Sequence, residues 1–452
     1  MDLSLLPANF SEPIVSRLDI STCLLLFSLI PVIPVGAGNW TQCLSDIRSG
    51  RFLEGGRDNH GRNTTLNSST TAISYSLCLE ACQASPEPLQ WDVFSEQFSS
   101  WLLPWLALVS QLPFGANDKL DNLIATLLTM GSPTLAAYSL ALTVLNGRWV
   151  ARRFASSTYP NTRNAVRILS SLQQAPLRVV SEGLSSLVVL TENDEWWTEL
   201  VVRLDYTYTW SISAVACIGW VIVAYIFTVA EVFTTDLDDS TIYATGETVG
   251  STWIWLLPIV VGWLQISPKC DSVRLHQAVN HANLRMAYVA GAQPDDQPQF
   301  AHDVASEYAV SLPVGPGDVL RRDERCTVPI FNYARFLPWV DAVETVADAF
   351  DAASENARQH RPVSGDSGKW VKEQKPSLRP HEKNRVGCKF QVEEYCIRRE
   401  SPDDRRTTWV GPGVRSRMLV ASLLAITLQW GTLGGAVLAQ WYTPTTGMTC
   451  YL

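Results

Sequence analysis

The sequence predicts an all-α protein: a polytopic bundle of transmembrane helices with a small disulfide-capable ectodomain and a large cytoplasmic loop. Three observations lead there. Apolar residues gather into a few runs of bilayer length. Glycosylation sequons and cysteines crowd the segment ahead of those runs. Basic and acidic residues sort onto alternate sides of them. The composition agrees, with 46% hydrophobic residues, 17 tryptophans and 17% charged residues against a usual value of about 25%. A net charge of −9 supplies no basic excess for nucleic acid, so membrane lipid is the expected partner.

Taken in chain order, residues 1–37 form a signal peptide or signal anchor. Ile20 to Val35 is an apolar stretch followed by Gly36-Ala37-Gly38, which suits cleavage after Ala37. The flanking Asp2, Glu12 and Asp19 replace the usual basic start, which leaves an uncleaved anchor as the alternative. Residues 38–98 read as a lumenal or extracellular segment. They hold sequons at Asn39, Asn63 and Asn67, together with Cys43, Cys78 and Cys82.

A bilayer core takes about 20 apolar residues in a helix. Tyr208 to Ala230, Val249 to Ser267 and Met418 to Trp441 meet that length. Leu123 to Leu145 does so with an interruption at Gly131-Ser132-Pro133, whereas Ser99 to Phe114 is short and contains two prolines. Residues 99–147 are therefore membrane segments, one of them non-spanning or re-entrant, and Ser99 to Phe114 is the expected one. Residues 207–267 carry two spans, and residues 418–452 carry the last span with a short outer tail.

Charge assigns the sides. Six arginines (Arg148, Arg152, Arg153, Arg163, Arg167 and Arg178) and no acid lie between 148 and 178, which marks 148–206 as cytoplasmic. Glu231, Asp236, Asp238, Asp239 and Glu247 cluster in a loop free of Lys and Arg, which faces out. Residues 268–417 face in, and Cys450 then joins Cys43, Cys78 and Cys82 outside. Four such thiols allow two disulfides in any of three pairings.

Within the cytoplasmic parts, Val166, Leu169 and Leu172 fall on one helical face beside Arg163 and Arg167, and Pro176 ends the run. Such a helix either lies on an anionic membrane surface or packs against the spans. Leu337 to Asn356 predicts a helix starting near Pro338. Its buried stripe is Val340, Val343, Ala347 and Phe350, and its acidic stripe is Asp341, Glu344, Asp348, Asp351 and Glu355. The acids form a solvated face or dock onto the arginines of 148–178, with Arg163 and Arg167 as the expected partners. Residues 360–413 read as a largely disordered linker.

No catalytic, cofactor or metal site emerges. Gly365-Asp366-Ser367-Gly368 copies a serine-protease string without a fold to build a triad on. Asp236, Asp238 and Asp239 resemble the acid cluster of terpene cyclases but sit where loop acids are expected. His276 and His281, five apart, share a helix face poorly, and Cys388 and Cys396 are too far apart for a zinc knuckle. Gly431 and Gly435 form a GxxxG in the last span, through which a homodimer could pack.

Several longer strings carry a resemblance: SQLPFGANDKLDNL, GSPTLAAYSLALTVLN, ISPKCDSVRLHQAVNHAN, CTVPIFNYARFLPWVDAVE, ENARQHRPV and the terminal WYTPTTGMTC. In this order, over most of 99–450, the chain resembles a family of polytopic integral membrane proteins from filamentous fungi. The resemblance implies a topology and a fungal source, and no catalytic residue. Family members continue past the terminal TPT-x-G-x-x-C motif, whereas this sequence stops at Leu452, and the resemblance therefore implies either truncation or a shortened gene model. The expected role is a non-enzymatic component of the secretory pathway or plasma membrane: a scaffold, sensor or accessory protein. A transporter or channel for an uncharged solute is the alternative, and a membrane enzyme acting on lipid or isoprenoid is the second.

Overall fold

A computed structural model describes residues 98–112, 119–175, 177–205, 210–234, 251–289, 299–300, 308–312, 326–365, 369–372, 380–397, 412–442 and 449–451. Before 98 it also describes residues 49, 54–57, 62–64, 72–74, 76–77, 80, 91 and 95. The chain divides into two units, one of 1–99, 237–242 and 441–452, the other of 100–236 and 243–440.

The larger unit is helical. A π-helical turn at Phe98–Leu102 leads into α1 (Leu103–Val109). Together they extend about 18 Å at ~1.5 Å per residue, short of the ~30 Å bilayer core. Next come α2 (Lys119–Gly131) and α3 (Pro133–Arg153), which meet at 108°. The break has a local cause. Pro133 lacks an N–H and its ring would clash with the carbonyl one turn back, which favours a break at this point. Ser132 starts the new helix instead, its hydroxyl accepting from the Leu135 N–H at 3.3 Å.

The following helices are α4 (Thr162–Ser171), α5 (Ser181–Val189), α6 (Asp194–Leu204) and α7 (Ile212–Thr234). A 3₁₀ turn at Ser251–Trp255 opens α8 (Leu256–Ile266), and α9 spans Ser272–Asn283. The longest helix, α10, covers Asn332–Arg358 and is followed by α11 (Lys389–Cys396). The last pieces, α12 (Pro412–Gln429), a π-helical turn at Trp430–Gly434 and α13 (Gly435–Tyr442), are continuous.

Among the described residues two large cores organise this unit, beside a small cluster of Ala125, Val328 and Ile330. One gathers α4, α5, α6, α9, α10, α11 and the C-terminal half of α3, around Trp196, Trp197, Trp339 and Phe350. The indole donors of its three buried tryptophans are matched. Trp196 Nε1 donates to Asn283 Oδ1 (3.1 Å), Trp197 Nε1 to Leu187 O (3.0 Å) and Trp339 Nε1 to Leu169 O (2.9 Å). The other core joins α1, the N-terminal half of α3, α7, α8 and α12 through Leu108, Ala137, Ile218, Val221, Ile259, Trp263 and Ala425. Here Gly262 lets α8 close on α3, since a Cβ there would stand 2.5 Å from Leu140 Cδ2. Outside this second core the helices present apolar side chains to the surroundings: Trp220, Ile226 and Phe227 on α7; Leu419, Leu423 and Leu424 on α12; Leu120, Leu123 and Leu127 on α2.

The span expectations change in detail. Among the described residues one helix, Gly413–Leu438, is long and apolar enough to cross a membrane alone. The expected span at 208–230 corresponds to α7 (Ile212–Thr234), whose apolar stretch is Ile212–Phe227; that at 249–267 is a shorter apolar helix over Thr252–Ile266, and Leu123–Leu145 is the bent pair α2–α3. A polytopic bundle thus has one full-length helix behind it here.

The linker expected over 360–413 is corrected between 381 and 397. A 3₁₀ turn at Glu382–Arg385 and α11 fold there, with Val392, Tyr395 and Cys396 forming a buried stripe. Arg385 is 3% exposed. Its Nε donates to Val189 O (2.7 Å), Nη2 to Leu190 O (3.0 Å), and Nη1 and Nη2 to the Asp194 carboxylate at 2.9 and 2.8 Å. It therefore satisfies carbonyls at the end of α5 and an acid at the start of α6 together.

In the smaller unit, short strands form a sheet ordered Asn63–Thr64, Gly56–Arg57, Ala72–Ser74, Thr449–Tyr451. The first two pairings are antiparallel, and the last is parallel with Ile73 opposite Cys450. Gly55, at φ +101°, precedes the sheet and its carbonyl accepts from the Ser74 N–H at 2.7 Å.

Replacing Arg385 by Met should cost about 3–5 kcal/mol, because Asp194 and two carbonyls lose a buried partner. Denaturation of the full chain in detergent, followed by tryptophan fluorescence, measures it. A loss under about 1 kcal/mol would show that the clamp contributes only as a surface pair does.

Candidate functional site

The polar residues of α3 fall on one face. Ser139, Thr143 and Asn146 repeat at helical spacing, and Arg153 follows two turns later. Each is buried or half-buried and each has a partner. Ser139 Oγ donates to Pro329 O, and Asn332 Nδ2 at the start of α10 donates to Ser139 O (2.9 Å) and Thr143 Oγ1 (2.7 Å). Gln173 Nε2 donates to Thr143 O (3.2 Å), while Gln173 Oε1 accepts from Asn146 Nδ2 (3.2 Å). Asn146 Oδ1 accepts in turn from Arg417 Nη1 at 2.7 Å.

Arg417 lies near the start of α12, 7% exposed. Its guanidinium carbon stands 4.0 Å from the centroid of the Trp149 ring and 5.0 Å from that of Phe336. Two π faces, one amide oxygen and the Gly413 carbonyl, which accepts from Nε at 3.2 Å, hold the cation, an arrangement that suits the weakly hydrated guanidinium better than an ammonium. The same contacts place the start of α12 beside residues 146–149 of α3.

At the far end of the stripe Arg153 meets the acidic face of α10. Nε donates to Glu344 Oε2 at 2.7 Å, Nη2 to Asp348 Oδ1 at 2.6 Å and Nη1 to Asp351 Oδ2 at 2.6 Å. Ser156 and Ser157 also donate to Asp351. The acidic stripe thus docks on the arginine segment through Arg153, while the expected partners Arg163 and Arg167 stay out in solvent. Asp341 and Glu355 of the same stripe are exposed. The helix also starts at Asn332, a turn and a half before Pro338, because Asn332 is anchored to α3. Burial alone would raise the Asp351 pKa. Hydrogen bonds from Ser157 and Arg153, the Arg153 charge and Ser156 outweigh that and hold the carboxyl below its ordinary value.

Beyond Arg153 the chain turns into α4, whose Ala165, Ile168 and Leu169 are buried in the core. Of the two readings for this amphipathic segment, the apolar face packs against protein. Arg163 and Arg167 remain exposed and line a cleft of about 800 Å³ with Ala151, Phe154, Thr158 and Thr162.

The glycosylation and cysteine assignments are covered in part. Asn63 is exposed in the edge strand of the small sheet, and Cys450 is in the strand opposite Ile73. Asn39, Asn67, Cys43, Cys78 and Cys82 lie outside the described residues, as do Asp236, Asp238, Asp239 and residues 366–368. Gly431 and Gly435 meet nothing within 4 Å where a Cβ would stand, so neither is used for packing among the described residues.

The chemistry of the remaining groups is quiet. Burial pushes the Cys270 thiol up, and the Cys326 and Cys396 thiols up to about 12, which leaves them protonated and poor nucleophiles. His281 pairs with Glu199 at 3.0 Å, and burial lowers the pKa of His276. Among the described residues no three His, Cys, Asp or Glu side chains converge as metal ligands do. Comparison with protein-family models, curated proteins and solved structures finds no match for this chain.

Arg153→Leu should destabilise the domain by about 1–2 kcal/mol, since three partly exposed carboxylates lose their shared cation, whereas Arg163→Leu should be near neutral. Equal effects in chemical denaturation would mean that the two arginines share the acidic stripe. The Asp351 shift also fixes a pH dependence. A carboxyl depressed in the fold contributes stability that is complete above its unfolded value of about 3.9 and is lost as pH falls through the lower folded value. Thermal midpoints of the wild type should therefore drop below about pH 4, and Asp351→Asn should lack that part of the drop. Superimposable profiles would contradict the assignment.

Proposed function

We propose that the protein is an integral membrane component without catalytic activity, a scaffold or accessory protein that fixes a helical domain at the cytoplasmic face of its membrane. One observation carries this reading. In the helix Gly413–Leu438 only 17% of the apolar window is buried, whereas the core helix of a soluble protein is mostly buried. Leu419, Leu423, Leu424 and Trp430 instead point away from the protein, as do Trp220, Ile226 and Phe227 of α7. A patch of this extent in water would drive aggregation, and a bilayer removes the penalty.

The reading places α1–α3, α7, α8, α12 and α13 in a polytopic bundle and the core around Trp196 and Trp339 in the cytoplasm. It places 38–98 on the opposite side, with glycans on Asn39, Asn63 and Asn67 and disulfides among Cys43, Cys78, Cys82 and Cys450. The exposed position of Asn63 supports the glycan, and the strand pairing of Ile73 with Cys450 supports a common side for both chain segments. Secretory-pathway membranes or the plasma membrane are the setting, and a fungal origin follows from the resemblance alone. The 108° break at Ser132 favours, as a second reading, a bundle that passes an uncharged solute. Uptake by proteoliposomes of the purified chain would separate the two.

Alkaline carbonate should leave the expressed protein in the membrane pellet. Glycosidase should increase its gel mobility by steps that vanish one by one in Asn39→Gln, Asn63→Gln and Asn67→Gln. Release by carbonate, with the chain monomeric in buffer without detergent, would overturn the membrane assignment.

A further inference from the structure

We infer that five exposed arginines form a binding surface for the anionic phospholipids of the membrane that holds the chain, an inference that rests on the membrane reading above. On α3 the exposed side chains change from Val144 to Arg148 and Arg152. On α12 they change from Arg415 to Met418, Leu419 and Leu423. The two changes lie level with each other, because Arg417 stacks on Trp149 and bonds to Asn146 between them. An abrupt boundary between apolar and cationic surface, shared by two packed helices, is the profile of a bilayer with headgroups at its edge.

Arg163 and Arg167 extend the surface along the cleft that begins at Ala151 and Phe154. Among the described residues none of the five arginines is paired with a carboxylate, and only Arg152 has a bond of its own, Nε to the Arg148 carbonyl at 3.3 Å. Arg153, in the same segment, instead has its charge taken up by acids of the protein. The apolar face of α4 is already committed to the core, so this contact is electrostatic and involves no insertion of the helix. A guanidinium offers a two-pronged donor that matches a phosphodiester, and juxtamembrane basic residues gain from the negative potential of a cytoplasmic leaflet.

The test uses the full chain in neutral detergent, incubated with equal amounts of phosphatidylserine and phosphatidylcholine, repurified and assayed for retained lipid by mass spectrometry. Wild type should retain phosphatidylserine about tenfold over phosphatidylcholine, and raising salt from roughly 0.1 M to about 1 M should abolish most of that preference. Combined Arg148→Gln, Arg152→Gln, Arg163→Gln, Arg167→Gln and Arg415→Gln should bring the ratio to about one. The matching five Arg→Lys changes should keep most of it, which controls for folding. Equal retention by wild type, or an undiminished preference in the Gln variant, overturns the proposal. Equal retention combined with salt-sensitive capture on a polyglutamate resin overturns it in favour of an acidic protein partner. A chain embedded in membranes but indifferent to lipid charge leaves the membrane reading standing, whereas a chain soluble without detergent removes both.

Discussion

The stacking of Arg417 between Trp149 and Phe336 links the two cores of the large unit. An uncompensated cation is costly to bury, and among the described residues no carboxylate touches this one. Two ring faces and the Asn146 oxygen, with the Gly413 carbonyl one turn back on α12, supply the negative potential instead, and the first three sit on helices that Arg417 thereby aligns. α12 enters beside residues 146–149 of α3, and α10 reaches the same level through Phe336. From that junction α3 faces two surroundings. Its first half packs small residues such as Ala136 and Ala137 against α8 and α12, and its polar stripe serves the domain.

The acidic face of α10 is held by a different balance. Glu344, Asp348 and Asp351 would repel one another on a free helix, and a single guanidinium with five donors binds all three. The pairing is partly exposed, so solvent screens it and its value is modest per bond. Its larger effect is on register. A shift of α10 by one residue along α3 would carry all three acids away from Arg153 and would also misplace Asn332 at the other end.

Much of this is legible in the amino-acid order itself. The acidic stripe at 341, 344, 348, 351 and 355 and the apolar stripe through Val343, Ala347 and Phe350 share a helical period, and both are found on α10. The docking arginine is not legible, because Arg153, Arg163 and Arg167 are equivalent in a charge count. Only the register of α3, set by Ser139, Thr143 and Asn146, turns Arg153 inward. The clamp at Arg385 is hidden for another reason. It lies among Pro, Ser, Lys and Glu, a composition that reads as solvated, and its fold depends on partners at Val189, Leu190 and Asp194 far away in sequence. Span length misleads where hydropathy extends past a local breaker. The apolar run from Leu123 to Leu145 ignores the backbone geometry that Pro133 imposes.

The parallel pairing of Ala72–Ser74 with Thr449–Tyr451 has a kinetic consequence. The larger unit lies between the two strands in sequence, so the sheet cannot close until that whole stretch has been produced. During that interval the edge of Ala72–Ser74 that later receives Thr449–Tyr451 is open to other extended segments, and a chaperone would have to cover it. Closure of this sheet is therefore a late checkpoint in biogenesis, and chains interrupted before residue 449 would carry an unfinished edge into quality control.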